Sequence, residues 1–134
     1  QNDRFVREGN PAARIPVLVH GERVITESLA IIEYIDETFP GPSLLPSDPF
    51  ILAKSRAIAL HIASGIQPLQ NVRVLEKTEQ IAGRGGKQEW ANYWMRLGLA
   101  ELETMLVKTA GKYCVGDEII IADTCVPSIV EREK

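Results

Sequence analysis

Cysteine and histidine are scarce in this chain, with two of each among 134 residues. Cys114 and Cys125 are too few and too far apart for a disulfide framework or a CxxC redox pair. His20 and His61 have no Cys, Asp or Glu cluster at ligand spacing, so no metal site is expected. Charge of one sign is also in short supply. The chain has 15 Lys and Arg against 18 Asp and Glu, a net charge of −3. That balance argues against a dominant nucleic-acid backbone or anionic-membrane partner. No apolar run approaches the roughly 20 residues of a membrane span. The residues from Gln1 onward do not read as a signal peptide. What remains is ordinary globular usage, 45% hydrophobic and 25% charged. The expectation is a reduced, cytoplasmic protein of one domain or two small ones. The absence of Met at position 1 suggests a fragment or a processed chain.

The densest signals lie in residues 10–35, NPAARIPVLVHGERVITESLAIIEYI. Val17, Val19, Val24 and Ile25 are β-branched and flank His20-Gly21-Glu22, which predicts a β-hairpin over residues 17–26 with Gly21 at the turn. Glu27-Ser28 then opens an amphipathic helix. Leu29, Ile32 and Ile35 recur every third residue, with Ile31 beside them. Pro40-Gly41-Pro42 stops it. A half-sheet with a helix N-terminus at its edge suits a small anionic peptide held through its backbone. A short linker follows, in which Leu44-Leu45 are expected to plug into a neighbouring element.

The remainder reads as helical. Asp48-Pro49 places an N-cap and a first-turn proline at a helix start. Ile51, Ala53, Ile58, Ile62, Ile66, Leu69, Val72 and Leu75 carry the apolar pattern on to about Ile81, with a bend or break expected at Gly65 and Pro68. Residues 83–86 form a loop, lacking the spacing and Ser/Thr of a phosphate-binding loop. A second long helix is expected over residues 87–110, burying Trp90, Trp94, Leu97, Leu102 and Met105 and closing at Gly111. Residues 119–126 are too apolar for exposure and predict a buried helix. One hairpin plus one helix is too small to hold a core alone, and two long helices with the start of a third leave stripes uncovered. Whole elements are therefore expected beyond both ends, or a partner that supplies them.

From about Asn10 to Val126 the chain resembles the zeta class of glutathione S-transferases, which includes maleylacetoacetate isomerase. The matching stretches are Asn10-Pro11, IPVLV at 15–19, ESLAIIEYI at 27–35, LLPSDP at 44–49, GIQPLQN at 65–71, TAGKYCVGDE at 109–118 and Ala122-Asp123. The resemblance implies an α+β fold. A truncated thioredoxin-like N-terminal domain (hairpin plus helix, residues 1–41) would join through a linker at 42–49 to a truncated all-α glutathione-transferase C-terminal domain, residues 50–134. It implies glutathione as cofactor, a small electrophilic organic acid as substrate and a homodimer, with no nucleic-acid or membrane partner.

The resemblance also assigns roles. Pro16 would be cis, and Ile15 would offer its main chain to the cysteinyl part of glutathione like one more strand at a sheet edge. Ser28 and the helix N-terminus suit the γ-glutamyl carboxylate. Glu27 suits the γ-glutamyl ammonium, a charge-assisted contact contributing roughly 1.5–3 kcal/mol. In several relatives that position carries Gln, so its charge is not essential. Gln67 and Asn71, one helical turn apart beside Pro68, would face the cofactor and electrophile. Gln1 falls where the class carries a Gln near the glycyl end. Each position also has a plainer reading. Ile15-Pro16 could be a trans pair at a strand start, Glu27-Ser28 simple helix-end chemistry, Gln67 and Asn71 surface polar groups on a bent helix. Their co-occurrence in the family's order favours the functional reading.

Two departures stand out. The family's serine- and cysteine-containing catalytic run would lie upstream of Gln1, so no catalytic residue is expected in this chain. Cys114 and Cys125 lie in the wrong region to replace it. Ile120 stands where glutathione transferases usually carry Ser or Thr in a capping box with Asp123, a loss of roughly 0.5–2 kcal/mol. After Asp123 the match falls one residue short, and Arg132 only faintly echoes a substrate-binding arginine. The expected activity is glutathione-dependent cis–trans isomerisation of maleylacetoacetate to fumarylacetoacetate in tyrosine and phenylalanine catabolism, with glutathione transferase activity. The alternative is a non-catalytic transferase-like module used for dimerisation or interaction.

Overall fold

A computed structural model describes residues 9, 10, 12 and 14–130. The chain divides into two compact units, Gln1–Leu45 and Pro46–Lys134. In the first, strands β1 (Val17–His20) and β2 (Arg23–Thr26) pair antiparallel with Val17 opposite Thr26 and His20 opposite Arg23. The two-residue turn Gly21-Glu22 needs a positive φ at its first position, and Gly21 supplies it at 61°. This fits the type II′ hairpin, whose twist matches that of the strands. Helix α1 (Ser28–Thr38) buries Ile31 and half-buries Leu29 and Ile32. It ends just before the expected stop at Pro40, and Asp36 near its end holds the following turn. Its carboxylate accepts from the Leu44 N–H at 2.6 Å and the Ser43 hydroxyl at 2.7 Å. Leu44 and Leu45 are thereby fixed half-buried.

The second unit is helical. Helix α2 (Pro49–Leu60) starts as expected, with Asp48 Oδ1 accepting from Phe50 N at 2.8 Å and Ile51 N at 2.9 Å. Ile58, Ile62 and Ile66, four residues apart, form a buried line at 0–1% exposure that runs from α2 into the turn after it. Each such side chain contributes about 1.5–3 kcal/mol by leaving water. The expected break is a π-helical turn, His61–Ile66, followed by a 3₁₀ turn, Gln67–Gln70. Pro68 explains it: an α-helix there would drive the proline ring into the carbonyl of Ser64. Asn71 then leaves helical geometry, at φ −66° and ψ 136°, and caps helix α3 (Val72–Ala82).

Helix α4 (Gly86–Leu106) runs back along the break. Its buried line is Met95, Gly98 and Leu102; of the predicted stripe Leu102 is buried, Trp90, Trp94 and Met105 are half-buried, and Leu97 is the exception. Leu97 is 38% exposed. The reason is Gly98: a Cβ there would lie 2.5 Å from Ile66 Cγ1, so only glycine admits the π turn at that depth. The break is tied to α4 at three further points. Trp90 Nε1 donates to the Leu69 carbonyl at 3.1 Å, Gln70 Nε2 to Ala91 at 3.1 Å, and His61 Nε2 to Gly98 at 3.0 Å. Trp90 is half-buried, joining core packing to a backbone hydrogen bond. Between α3 and α4, the Glu79 carboxylate accepts from Gly85 N at 3.0 Å and Lys87 N at 2.8 Å, which holds its carboxyl below the usual range.

Helix α4 ends at Leu106, earlier than expected. Positive φ falls at Gly116 and not at Gly111, which Asp117 and Gly116 crowd instead. Ile119 is half exposed, and the buried helix is the short α5 (Ile121–Cys125), followed by α6 (Pro127–Val130). The Asp half of the capping box survives. Asp123 accepts from Ile120 N and from Cys114 N, each at 2.9 Å, joining the 110–116 loop to α5. Ile120 supplies no hydroxyl to the box, but it is 4% exposed. Its burial, about 1.5–3 kcal/mol, offsets the missing cap. Replacing the carboxylate frees two N–H groups at once. Asp123→Ala is therefore expected to lower the unfolding free energy by at least about 1.5 kcal/mol in urea titrations. An unchanged midpoint and slope would contradict this account of the loop.

Candidate functional site

The hairpin register sets the geometry of the first candidate site. Val17 opposes Thr26, so the residues just outside the pair, Ile15-Pro16 on one side and Glu27-Ser28 on the other, flank the same end of the ladder. The Ile15-Pro16 bond is cis, as the family resemblance implied. Ile15 is 84% exposed and its main chain makes no hydrogen bond among the described residues. The approach to it is held by Asn10, which is buried. Its Oδ1 accepts from Ala12 N and its Nδ2 donates to the Arg14 carbonyl, both at 2.9 Å. Sequence reasoning used Asn10 only as a family match. The Asn-Pro turn signal could have found its supporting role.

Across the ladder, Glu27 sits at φ 70° and ψ 122°, a conformation L-residues rarely adopt. Such a residue costs about 1–3 kcal/mol and persists where its surroundings over-determine it. It precedes α1 as N-cap residue, yet its side chain caps nothing. The Ile31 N–H reaches the Glu27 carbonyl at 3.0 Å as the helix's first hydrogen bond. The N–H groups of Ser28, Leu29 and Ala30 therefore have no acceptor within the helix. The Ser28 hydroxyl and Glu27 carboxylate are likewise unengaged among the described residues. One edge thus shows a free strand-like main chain, a hydroxyl, an open helix N-terminus and a carboxylate. Chemically it can take a carboxylate at the helix end, an ammonium at Glu27 and a peptide segment along Ile15.

Gln67 and Asn71 lie in the second unit, on the break. They are not one turn apart on a continuous helix face: Gln67 opens the 3₁₀ turn and Asn71 ends it in extended geometry. Gln67 Nε2 donates to Ser128 Oγ at 2.7 Å, and Asn71 Oδ1 accepts from Arg73 N at 3.0 Å. Ser128 carries no local sequence signal, since its partner is 61 residues away. Gln1 lies outside the described residues.

The thiols are poor nucleophiles. Burial raises Cys114 from an ordinary value of 9.0 to about 12, with the hydrogen bond and negative charge of Asp123 adding to it. Burial also raises Cys125. No group of three or more His, Cys, Asp or Glu that could hold a metal occurs among the described residues. No helix among them is long and apolar enough to cross a membrane.

Residues 1–43 match the family model of the glutathione S-transferase N-terminal domain. Over 126 residues the chain is 48% identical to a probable maleylacetoacetate isomerase of Caenorhabditis elegans, covering 93% of this chain and 58% of that protein. It resembles the solved maleylacetoacetate isomerase of Methylobacterium extorquens AM1 with bound malonate and glutathione. There the TM-score is 0.88 at 34% identity, covering 94% of this chain and 61% of that one. It also resembles the holo structure of a maleylpyruvate isomerase described as a bacterial glutathione S-transferase of the zeta class. That match has a TM-score of 0.87 at 32% identity and covers 97% and 63% of the two chains. The chain spans roughly half to three fifths of the length of the curated relatives it matches, from 49% to 60%.

The raised Cys114 value has a consequence in alkali. The unfolded chain loses this proton first, so stability falls as pH rises from 9 toward 12. Cys114→Ala should show a shallower decline in urea midpoint over that window than the parent chain. Equal slopes would show that the thiol is not protected by the fold.

Proposed function

We propose that this chain belongs to the zeta-class glutathione S-transferase family, which it resembles over nearly its whole length, and that it carries the glutathione-holding edge of a maleylacetoacetate-isomerase-type enzyme. The activity is the glutathione-dependent cis–trans isomerisation of maleylacetoacetate to fumarylacetoacetate, in tyrosine and phenylalanine catabolism, alongside glutathione transferase activity. The first unit is the later part of a thioredoxin-like domain and the second a helical transferase domain. When bound, glutathione supplies the thiol on which the isomerisation depends.

The observation that carries this reading is the open N-terminus of α1 beside the exposed main chain of Ile15. The N–H groups of Ser28, Leu29 and Ala30, with the Ser28 hydroxyl, hold the γ-glutamyl carboxylate. Glu27 holds the γ-glutamyl ammonium. Ile15 pairs its N–H and C=O with the cysteinyl residue, and Pro16, which has no N–H, leaves that pairing to Ile15 alone. Gln67 and Asn71 are assigned to the ligand on family resemblance, as is Gln1. Cys114 and Cys125 stay protonated and take no part. The described residues bind and orient the tripeptide; none of them activates its thiol. The substrate is a small electrophilic organic acid. The setting is cytoplasmic and the assembly a homodimer.

Calorimetric titration of the purified chain with reduced glutathione tests the edge. Ser28→Ala removes a hydrogen bond to a charged group and is expected to weaken binding by about tenfold or more. Glu27→Gln keeps the shape and is expected to cost less. Equal affinity of Ser28→Ala and the parent chain would overturn the assignment.

A further inference from the structure

An amide side chain shows a ligand a donor or an acceptor according to which end is turned outward. The hydrogen-bond partners of Gln67 and Asn71 decide this for each. The Ser128 hydroxyl lies 2.6 Å from the Cys125 carbonyl and donates its single proton there. Having no second proton, it can only accept from Gln67. The amide end 2.7 Å from Ser128 Oγ is therefore the NH₂. Gln67 Oε1 is turned the other way and has no partner among the described residues. Asn71 is fixed in the opposite sense. Its Oδ1 is taken by Arg73 N as the cap of α3, which leaves Nδ2 without a partner among the described residues. The turn that separates them is tied to α4 through Trp90 and Gln70, so the two amides have a rigid base.

We propose that Ser128 is a positioning residue that fixes Gln67 as a hydrogen-bond acceptor, so that with the donor of Asn71 this turn selects ligand groups carrying both an N–H and a carbonyl or carboxylate oxygen. A peptide amide or an α-amino-acid end has both. A bare carboxylate offers only acceptors, which suit Asn71 but meet Gln67 oxygen to oxygen. This inference rests on the reading of Gln67 and Asn71 as ligand-facing. It adds a cause for the polarity they present, in a residue 61 positions away from Gln67.

Two measurements on the purified chain separate the inference from the reading beneath it. The first needs no ligand. Side-chain amide NMR signals of Gln67 are compared in the parent chain, Ser128→Ala and Ser128→Thr. Slow water exchange in the parent and in Ser128→Thr, lost in Ser128→Ala, is expected; equal exchange in all three overturns the inference. The second is calorimetric titration with reduced glutathione. Ser128→Ala is expected to bind about two- to tenfold more weakly, with Ser128→Thr near the parent value. A general structural role would not be rescued by threonine in both readouts. Parent-like binding by Ser128→Ala overturns the inference while leaving the glutathione reading intact. Absence of binding by the parent chain overturns that reading, and the exchange measurement still decides the role of Ser128.

Discussion

The first N–H groups of an α-helix have no partner within it, and the rest of this structure depends on how that constraint is met. Asp48 meets it for α2 and Asn71 for α3. Glu79 reaches across from α3 to meet it for α4. At α1 no side chain among the described residues does so, although an acid and a hydroxyl stand at the position. An acidic residue at an N-cap would normally turn inward. Glu27 instead adopts a positive φ and leaves its carboxylate free. The same sequence feature, an acid at a helix start, thus does two jobs. It closes α2, and at α1 it leaves the helix start open.

That division explains how the two units differ in purpose. In the second unit, polar groups near the break are spent internally, on the Leu69, Ala91 and Gly98 carbonyls. Close packing of Gly98 on Ile66 fixes the depth of the π turn. Rigid support of this kind is what lets a short turn present two amides with defined polarity. In the first unit, the hairpin register does the corresponding work, bringing Ile15-Pro16 and Glu27-Ser28 to one end of the ladder. Both thiols are buried, which raises them and disfavours the thiolate.

Local features were legible in the sequence. β-Branched residues either side of His20-Gly21-Glu22 gave away the hairpin, Asp48-Pro49 a helix start, and Pro68 a break whose cause is the missing α-helical space behind a proline ring. The placing of the candidate edge was legible because its parts, Ile15-Pro16 and Glu27-Ser28, lie either side of one hairpin. Long-range facts were not. Leu97 reads as core by its hydrophobicity, yet Gly98 is what α4 buries, since the π turn of another helix occupies that space. Ile120 reads as a lost cap, yet its side chain is buried and Asp123 keeps its half of the box. Ser128 is an unremarkable serine until folding sets it against Gln67.

The account stands or falls on the open end of α1. A ¹⁵N-labelled chain titrated with reduced glutathione, followed by backbone amide shifts, addresses it directly. Saturable shifts concentrated at Ile15, Ser28, Leu29 and Ala30 are predicted, with the cap amides Phe50 and Ile51 of α2 unmoved. No saturable shift at the α1 amides, or equal shifts at the already capped start of α2, would contradict it.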